Sequence, residues 1–164
     1  MIGKPDQLLA VNVTQLWPEI AKGRATEERV VLGEWSPWVG VSEHKHFDPD
    51  RIAVILACRR GQRMAIYEVE ADENGDRYHW TSGERPRIVF HGRPSQRYAS
   101  WLHLPAPTWR RGQGTPVQVL ELSELTAGVR RQTIGPAVIT VDDGAKTLTV
   151  SAPADYSVTL TRTA

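Results

Sequence analysis

Two short apolar segments joined by a tight turn are the feature that most constrains the fold. Residues 51–57 form a β-branched apolar run, which is typical of a buried strand. Residues 63–71 alternate apolar and polar side chains, and the intervening Arg59-Arg60-Gly61-Gln62 has the composition of a turn. The pattern predicts a β-hairpin in the middle of the chain.

More strands are predicted after this hairpin, with little helix. Asn74-Gly75 marks the tip of a polar turn, and residues 97–104 fit either a short helix or a strand. Near the start, residues 12–22 predict a short helix with Pro18 in its first turn and Gly23 closing it. The other predicted strands of this region are 77–81, 87–91 and 116–122.

The end of the chain has a different composition. Residues 137–141, 146–151 and 156–162 are rich in Val, Ile and Thr, and they follow a segment, 125–136, that contains Gly128 and Gly135. We interpret that segment as a linker and the three runs as a β-meander. The chain is thus predicted to be α+β and mainly β, with a closed or half-closed sheet in residues 1–124. Residues 125–164 are a C-terminal appendage or part of the same domain.

Composition excludes several classes of protein. Cys58 is the only cysteine, which rules out an intrachain disulfide framework and a cysteine-built zinc site. No apolar run approaches the ~20 residues of a membrane-spanning helix. The first six residues do not have the basic start and apolar stretch of a secretory signal. We therefore expect a cytoplasmic protein with no membrane partner.

Charge is distributed unevenly. The net charge is only +1, yet the 36 residues from 85 to 120 contain six arginines and no Asp or Glu. That stretch carries a charge of +6, while the rest of the chain carries −5. Arg59, Arg60 and Arg63 form a further basic cluster. A face that binds phosphates holds no carboxylate close to its ligand, so this distribution favours an anionic partner.

Tryptophan is the most frequent aromatic residue, with six copies against four Tyr and two Phe. Trp109 directly precedes Arg110 and Arg111, so rings and guanidinium groups alternate there. Stacking planes beside guanidinium groups suit a nucleobase and its phosphate. The alternative is that the indoles fill the ends of a small barrel, because large rings are mostly buried in soluble domains. The tryptophans in or beside predicted loops are Trp35, Trp38, Trp80, Trp101 and Trp109.

Signals for catalysis are weak. His44, His46 and Asp48 are close in sequence, but no third ligand follows at a known metal-site spacing and Lys45 opposes a dication. Ser42 lies beside Glu43 and His44, although adjacency in sequence does not make a catalytic triad. No phosphate-binding glycine loop is present. We therefore expect neither an enzyme nor a cofactor, and we keep a metal-assisted hydrolase as an alternative.

Several stretches resemble the EVE-type branch of the PUA-like domains, which also include YTH and ASCH types. The resemblance covers residues 35–122, and Pro49-Asp50 stands where the family has a Gly-Asp turn. The hairpin of residues 52–69, whose second strand closes on Tyr67-Glu68-Val69, is part of it. The other matching stretches are Trp38-Val-Gly-Val-Ser-Glu-His44, Phe47-Asp-Pro-Asp-Arg51, Arg87-Ile-Val-Phe-His-Gly92, Tyr98 and Arg111-Gly-Gln-Gly-Thr-Pro116.

The resemblance implies a small PUA-like β-barrel with short flanking helices that binds RNA or DNA. EVE and YTH members hold a modified or flipped base in an aromatic pocket, and Trp38 and Ser42 match the family's pocket loop. Drawing a base out of its stack costs a few kcal/mol and is easiest for single-stranded or modified bases.

We therefore predict a nucleic-acid-binding module whose arginines hold the backbone while an aromatic pocket selects the base. The alternative to this function is a protein-interaction module that forms a homodimer through its C-terminal strands. The predicted base-pocket residues are Trp35, Trp38, Ser42, Trp80, Tyr98 and Trp101. The predicted backbone-binding residues are Arg59, Arg60, Arg63, Arg93, Arg97, Arg110 and Arg111.

Overall fold

Strands dominate the structure, a computed structural model that describes residues 3–37, 47–102, 104–109, 116–125, 129–142 and 146–163. Strands make up 39% and helices 15%, which confirms a mainly β fold with a smaller α component. The chain divides into two units, Met1–Leu125 and Thr126–Ala164. The helices are α1 (Trp17–Ala21) and α2 (Glu27–Leu32). The strands are β1 (Gln7–Asn12), β2 (Ile52–Arg59), β3 (Gln62–Val69), β4 (Tyr78–Trp80), β5 (Ile88–Phe90), β6 (Gly92–Pro94), β7 (Val117–Glu121), β8 (Val129–Ile134), β9 (Ala137–Asp142) and β10 (Thr147–Ser151).

A five-stranded sheet with the order β6-β3-β2-β1-β7 organises the first unit. β1 runs parallel to β2, and the other neighbours are antiparallel. A parallel pair needs a crossover connection, and α1 and α2 lie within it. Among the described residues β6 and β7 are the two edges and do not pair with each other, so the described sheet is open.

Both faces of this sheet are covered. Leu9 and Val11 of β1 point into one apolar cluster, where α2 and β5 pack over the sheet. Leu8 and Ala10 of the same strand point into a second cluster, where the segment from Tyr98 to Trp109 packs on the other side. Because β1 and β2 are buried on both faces, their side chains are apolar in succession and do not alternate with polar ones.

The helices of the crossover begin at recognisable signals. Pro18 lies in the first turn of α1 and Gly23 follows its end with φ +70°, which confirms the predicted helix, although it is shorter than expected. Thr26 caps α2 by accepting a hydrogen bond from the backbone N–H of Arg29 at 3.2 Å. No described helix has the length and apolar character required to cross a membrane.

The hairpin of β2 and β3 confirms the strongest sequence prediction. Arg60 and Gly61 form its two-residue turn, and both have positive φ, +49° and +77°. The pairing register shifts between Ala57 and Cys58, which marks a β-bulge just before the turn. Near the same end of β3, Gln62 bridges Pro105. A segment that comes much later in the chain therefore packs against the end of the hairpin.

The second unit is a three-stranded antiparallel sheet with the order β10-β9-β8. The sequence predicted a meander here, but with the wrong first and last strands. Residues 129–134, expected to be linker, form β8, which pairs with β9 through a turn at Gly135, φ +56°. Residues 156–162, expected to be a strand, are not one and have no pairing partner among the described strands.

Candidate functional site

The sheet separates the aromatic residues that the sequence placed in one base pocket. Trp35 belongs to the first apolar cluster, on the side of α2 and β5. Tyr98 and Trp101 are half-buried and pack against the second cluster, on the opposite face. Trp80 is 46% exposed and is the most accessible of these rings. A single cavity walled by all of them is therefore not formed, because the β2–β3 hairpin lies between the two groups.

Trp35 is a structural residue. It is only 5% exposed, and its indole Nε1 donates to the carbonyl of Val31 at 2.8 Å. Its backbone exchanges two hydrogen bonds with Ile88, at 2.8 and 2.9 Å. This bridge fixes Ser36 and Pro37 alongside β5. Trp35 thus positions the wall of a neighbouring groove and is not itself available to stack on a ligand.

That groove has the exposed indole of Trp80 in its wall. It has a volume of about 710 Å³, within the ~300–1,000 Å³ common for ligand sites. Trp80 lies at the end of β4, where the chain turns into the 81–87 loop. Thr81 and Arg87 close this loop through a backbone hydrogen bond of 2.8 Å and a side-chain bond of 2.9 Å. The groove is lined by Ser36, Pro37, Trp80, Glu84, Arg85, Pro86 and Arg87.

The groove carries two positive charges and one negative charge. Arg85 is exposed and has no ion pair among the described residues, while Nη1 of Arg87 lies 3.4 Å from the carbonyl oxygen of Glu34. Glu84 is the one carboxylate among the described lining residues. The site therefore combines a flat apolar ring, two guanidinium donors and one acceptor. Arg85 and Arg87 belong to the acid-free stretch, yet they were absent from the predicted backbone-binding set.

A second, smaller cavity lies at the end of the β2–β3 hairpin. Its volume is about 260 Å³, and the predicted backbone-binding residues Arg59 and Arg60 line it together with Trp109. Trp109 comes from the segment that packs on the second cluster, so this cavity is on the side of Tyr98 and Trp101. The structure therefore brings one indole and two guanidinium groups together here.

Arg63 is inside the fold. It is 7% exposed, and its guanidinium group donates to three backbone carbonyls: Pro105 at 3.1 Å, Trp101 at 3.3 Å and Leu125 at 3.0 Å. The neighbouring β-bulge changes the direction of side chains at this end of the hairpin. Arg63 thus holds the 101–105 segment and the Leu125 turn on the sheet, which corrects its predicted role as an exposed phosphate ligand.

Arg93 and Arg97 are exposed but have local partners. Nε of Arg93 lies 3.0 Å from a carboxylate oxygen of Glu70. The guanidinium carbon of Arg97 lies 5.1 Å from the centre of the Tyr98 ring, a cation–π contact. Neither lines the groove at Trp80 or the cavity at Arg59.

Some predicted residues lie outside the described part of the chain. These are Trp38 and Ser42 of the base pocket, Arg110 and Arg111 of the backbone set, and His44 and His46 of the metal alternative. Asp48 is described, and its Oδ1 accepts the N–H of Asp50 at 3.0 Å in a 3-10 turn. No group of three possible metal ligands is found among the described residues.

One polar cluster was not predicted. Nδ1 of His79 lies 2.7 Å from Nε2 of His91, and Nδ1 of His91 lies 3.0 Å from a carboxylate oxygen of Asp72. His79 is on β4, His91 follows β5, and Asp72 belongs to the turn before β4. The spacing of the two histidines reflects the register of β4 on β5, in which Tyr78 pairs with Phe90. The long 81–87 loop gave no sequence signal for that register.

Comparison of the chain with protein-family models, with curated proteins and with solved structures gives no match. The function of the chain is therefore inferred from the geometry of its cavities.

Proposed function

We propose that the chain is a nucleic-acid-binding module that stacks one unpaired base on Trp80. The observation that carries this proposal is the exposed indole of Trp80 in a groove that also contains Arg85 and Arg87. Stacking of a base on an aromatic side chain contributes about 1–3 kcal/mol and suits any base, because every base has a π face. The guanidinium groups supply the sequence-independent attraction to phosphates.

Glu84 gives the groove a means of choosing between bases. A carboxylate accepts hydrogen bonds, so it pairs with the amino group of cytosine or adenine and repels carbonyl edges. With the ring stacked on Trp80, the base edge is the part of the ligand that reaches the loop. We assign to Glu84 the preference for a base that presents an amino group.

The relation to EVE-type PUA-like domains belongs to this proposal. It is supported by the resemblance in sequence and by the position of Pro37. Pro37 lines the groove and directly precedes the Trp38–His44 stretch in the chain. On this proposal the base is modified or flipped. Closure of the sheet into a barrel is likewise part of the proposal.

Fluorescence anisotropy with labelled single-stranded DNA and RNA tests the function. We expect binding that weakens as salt is raised from 50 to 200 mM, with a log–log slope of about −0.7 for each phosphate contacted. Trp80→Ala should weaken binding by roughly tenfold or more. Leu16→Ala is the matched control, because Leu16 is 46% exposed, as Trp80 is, and is not among the described residues that line the groove.

The outcomes separate the parts of the proposal. Salt-insensitive binding, or the absence of binding to any DNA or RNA, contradicts the function itself. Equal losses in Trp80→Ala and Leu16→Ala contradict the groove. A set of oligonucleotides that differ in one base, plain or methylated, tests base choice, and Glu84→Gln should reduce the preference for bases with an amino group while total affinity changes little.

A second function is favoured by the apolar surface of the second unit. Ile134, Leu148, Tyr156, Val158 and Leu160 are each more than half exposed, and no described residue beyond Leu125 belongs to the buried hydrophobic core. A three-stranded sheet with no apolar core of its own needs a partner to cover it. We propose that a second copy of the chain does so, since identical antiparallel edge strands pair about a two-fold axis.

Light scattering after size-exclusion chromatography tests this second function. The intact chain should elute at dimer mass. Leu148→Glu should shift it to monomer mass, because a charged side chain then replaces an apolar one in the surface that the second copy covers. Leu16→Glu is the control, since Leu16 is an exposed leucine of the first unit. A monomer at all concentrations, or a dimer that survives Leu148→Glu and the double change Leu148→Glu/Leu160→Glu, contradicts it.

A further inference from the structure

Two side chains that line the cavity at the end of the β2–β3 hairpin have a buried nitrogen without a partner. Nε of Arg59 and Nε1 of Trp109 are both buried, and neither makes a hydrogen bond to a described residue. Both side chains line the same cavity. A buried donor without an acceptor costs about 1–3 kcal/mol, and folded proteins pair the great majority of such groups. Two of them in one cavity indicate that an acceptor belongs there.

The residue types of the cavity define that acceptor. The guanidinium group and the indole N–H are donors only, so the ligand must accept hydrogen bonds. Arg59 and Arg60 bring two positive charges, and none of the described lining residues is a carboxylate. A phosphate group offers several acceptor oxygens and a charge of about −1.5 to −2 as a monoester, which matches two cations and a fork of donors. We infer that this cavity is a phosphate-binding site.

The walls of the cavity are fixed by backbone contacts. The N–H of Ala106 donates to the carbonyl of Gly61 at 2.9 Å, which holds the 105–109 segment against the hairpin turn. Nε2 of Gln118 donates to the carbonyl of Thr108 at 2.8 Å, so β7 supports the same segment. Asn12 and Thr14, joined by a 2.7 Å hydrogen bond, complete the lining from the end of β1. These hydrogen bonds to the sheet therefore fix the positions of Arg59 and Trp109.

Arg60 is held in an unusual backbone conformation at this cavity. Its φ is +49°, in the left-handed region that glycine and asparagine adopt most readily. The turn needs positive φ at both central positions, which a sequence such as Asn-Gly supplies with less strain. An arginine here keeps a cation beside the cavity at a cost in backbone energy, as is common at binding sites.

The size of the cavity limits the ligand. A volume of about 260 Å³ is below the ~300–1,000 Å³ range of sites for drug-sized molecules, so it suits a single phosphate group or the phosphate end of a larger ligand. Because the two unpaired nitrogens are covered in the unliganded state, binding must move the indole ring and the guanidinium group toward the phosphate. This movement makes the Trp109 indole a direct reporter of binding.

The test follows the indole N–H signals of the ¹⁵N-labelled full chain by NMR, with Trp109→Phe identifying the signal of Trp109. Inorganic phosphate is titrated against sodium chloride of matched ionic strength. We expect phosphate to move the Trp109 signal in a saturable way and chloride to leave it in place. Arg59→Gln should weaken this response at least tenfold, while Arg24→Gln, which removes an exposed arginine far along the sequence, should not.

The source of the phosphate is resolved by three further ligands: a 5′-phosphorylated oligonucleotide, the same oligonucleotide with a 5′-hydroxyl, and adenosine 5′-monophosphate. A shift with the phosphorylated end alone assigns a terminal phosphate, a shift with both oligonucleotides assigns the backbone, and a shift with the mononucleotide alone assigns a free nucleotide. No shift with any phosphate compound, or an equal shift with chloride, overturns the site.

This site stands apart from the proposed function, and one variant separates the two. Trp80→Ala removes the groove indole and should leave the phosphate response of Trp109 unchanged. If Arg59→Gln alters the rest of the spectrum, Arg60→Asn replaces it, because asparagine fits the turn and removes only the second cation. A full phosphate response in both Arg59→Gln and Arg60→Asn also overturns the site.

Discussion

His79 and His91 lie within hydrogen-bond distance across the β4–β5 hairpin, with Nδ1 of His79 2.7 Å from Nε2 of His91. On the other side of its ring, His91 places Nδ1 3.0 Å from the carboxylate of Asp72. An ionised carboxylate only accepts, so Nδ1 of His91 carries a hydrogen. A neutral His91 then accepts at Nε2, and His79 donates from Nδ1. The hydrogen bonds therefore run in one direction, from His79 through His91 to Asp72.

This direction predicts the tautomers of both rings. When the imidazoles are neutral, His79 and His91 should each carry their hydrogen on Nδ1, which leaves Nε2 of the exposed His79 ring unprotonated. Long-range ¹H–¹⁵N correlation spectra distinguish the two ring nitrogens directly. Asp72→Ala should release His91 to a mixture of tautomers. An Nε2–H tautomer of His91 in the unaltered chain would contradict the hydrogen-bond direction.

Asp72 predicts how stability depends on pH. The N–H groups of Asp76 and Asn74 donate to its carboxylate, and together with His91 they lower its pKa below the ordinary value. A carboxyl group with a depressed pKa in the folded state stabilises the fold above its unfolded pKa of about 3.9, and this contribution is lost as pH falls through the folded pKa. Urea midpoints measured from pH 6 down to pH 2 should therefore fall more steeply for the unaltered chain than for Asp72→Asn.

The asparagine variant keeps the shape and one acceptor oxygen, so the backbone turn survives and only the charge is removed. Asp155→Asn, in an exposed turn of the second unit, is the control and should leave the pH profile as it is. Parallel profiles for Asp72→Asn and the unaltered chain would show that Asp72 does not contribute in this way.

The sequence identified the elements that carry local signals. The β2–β3 hairpin and α1 were predicted because strand alternation, Pro18 and Gly23 act within a few residues. β1 was missed: Leu8–Val11 is a run of four apolar residues that fits helix or strand, and only its burial on both sheet faces makes it a strand. β8 was missed because Gly128 and Gly135 on either side of it suggest a linker, whereas an edge strand accepts polar residues.

The sequence predicted only the part of the candidate site that depends on composition and on local patterns. Composition identified Trp80 and the basic cluster at residues 59–60, and it left open which rings would be exposed. Burial of Trp35 depends on its bridge to Ile88, and burial of Arg63 depends on a β-bulge and on carbonyls far away in sequence. Such long-range contacts are decided by tertiary packing and have no signature in a local pattern.

Replacing Arg60 by asparagine should stabilise the fold and weaken phosphate binding. Arg60→Asn places a residue that tolerates positive φ in the hairpin turn, so the free energy of unfolding should rise by about 1 kcal/mol or less. The same change removes a cation from the phosphate cavity and should weaken the phosphate response of Trp109. Urea unfolding measures the first effect and the NMR titration the second. A less stable Arg60→Asn variant would mean that the arginine side chain contributes more to the fold than its backbone costs.

We expect the thiol of Cys58 to be unreactive in the folded chain. Burial raises the pKa of Cys58 to about 12, even though the charge of Arg63 opposes that change. The thiolate is the reactive form, so almost none is present at pH 8. Ellman's reagent should react with the native chain far more slowly than with the chain unfolded in guanidinium chloride. Since Cys58 is the only cysteine, the reaction has a single site, and comparable rates in the two states would contradict its burial.

We expect the conservative change Arg63→Lys to destabilise the fold strongly. Lysine keeps the charge but replaces the planar fork with one ammonium group, which cannot reach the carbonyls of Trp101, Pro105 and Leu125 together. Arg63→Lys therefore leaves buried acceptors unpaired and should lower the free energy of unfolding by about 3 kcal/mol. Arg24→Lys is the control, because Arg24 is exposed and, among the described residues, its ion pair is with Glu19. Urea unfolding of both variants measures the difference.

The same variant connects stability to the cavity at Arg59. Two of the carbonyls that Arg63 holds, those of Trp101 and Pro105, belong to the segment that leads into Thr108 and Trp109, so loosening them should also move the walls of the phosphate site. In Arg63→Lys the phosphate response of Trp109 should weaken while oligonucleotide binding at Trp80 is kept. If both variants unfold at the same urea concentration as the unaltered chain, Arg63 is not the residue that holds this segment on the sheet.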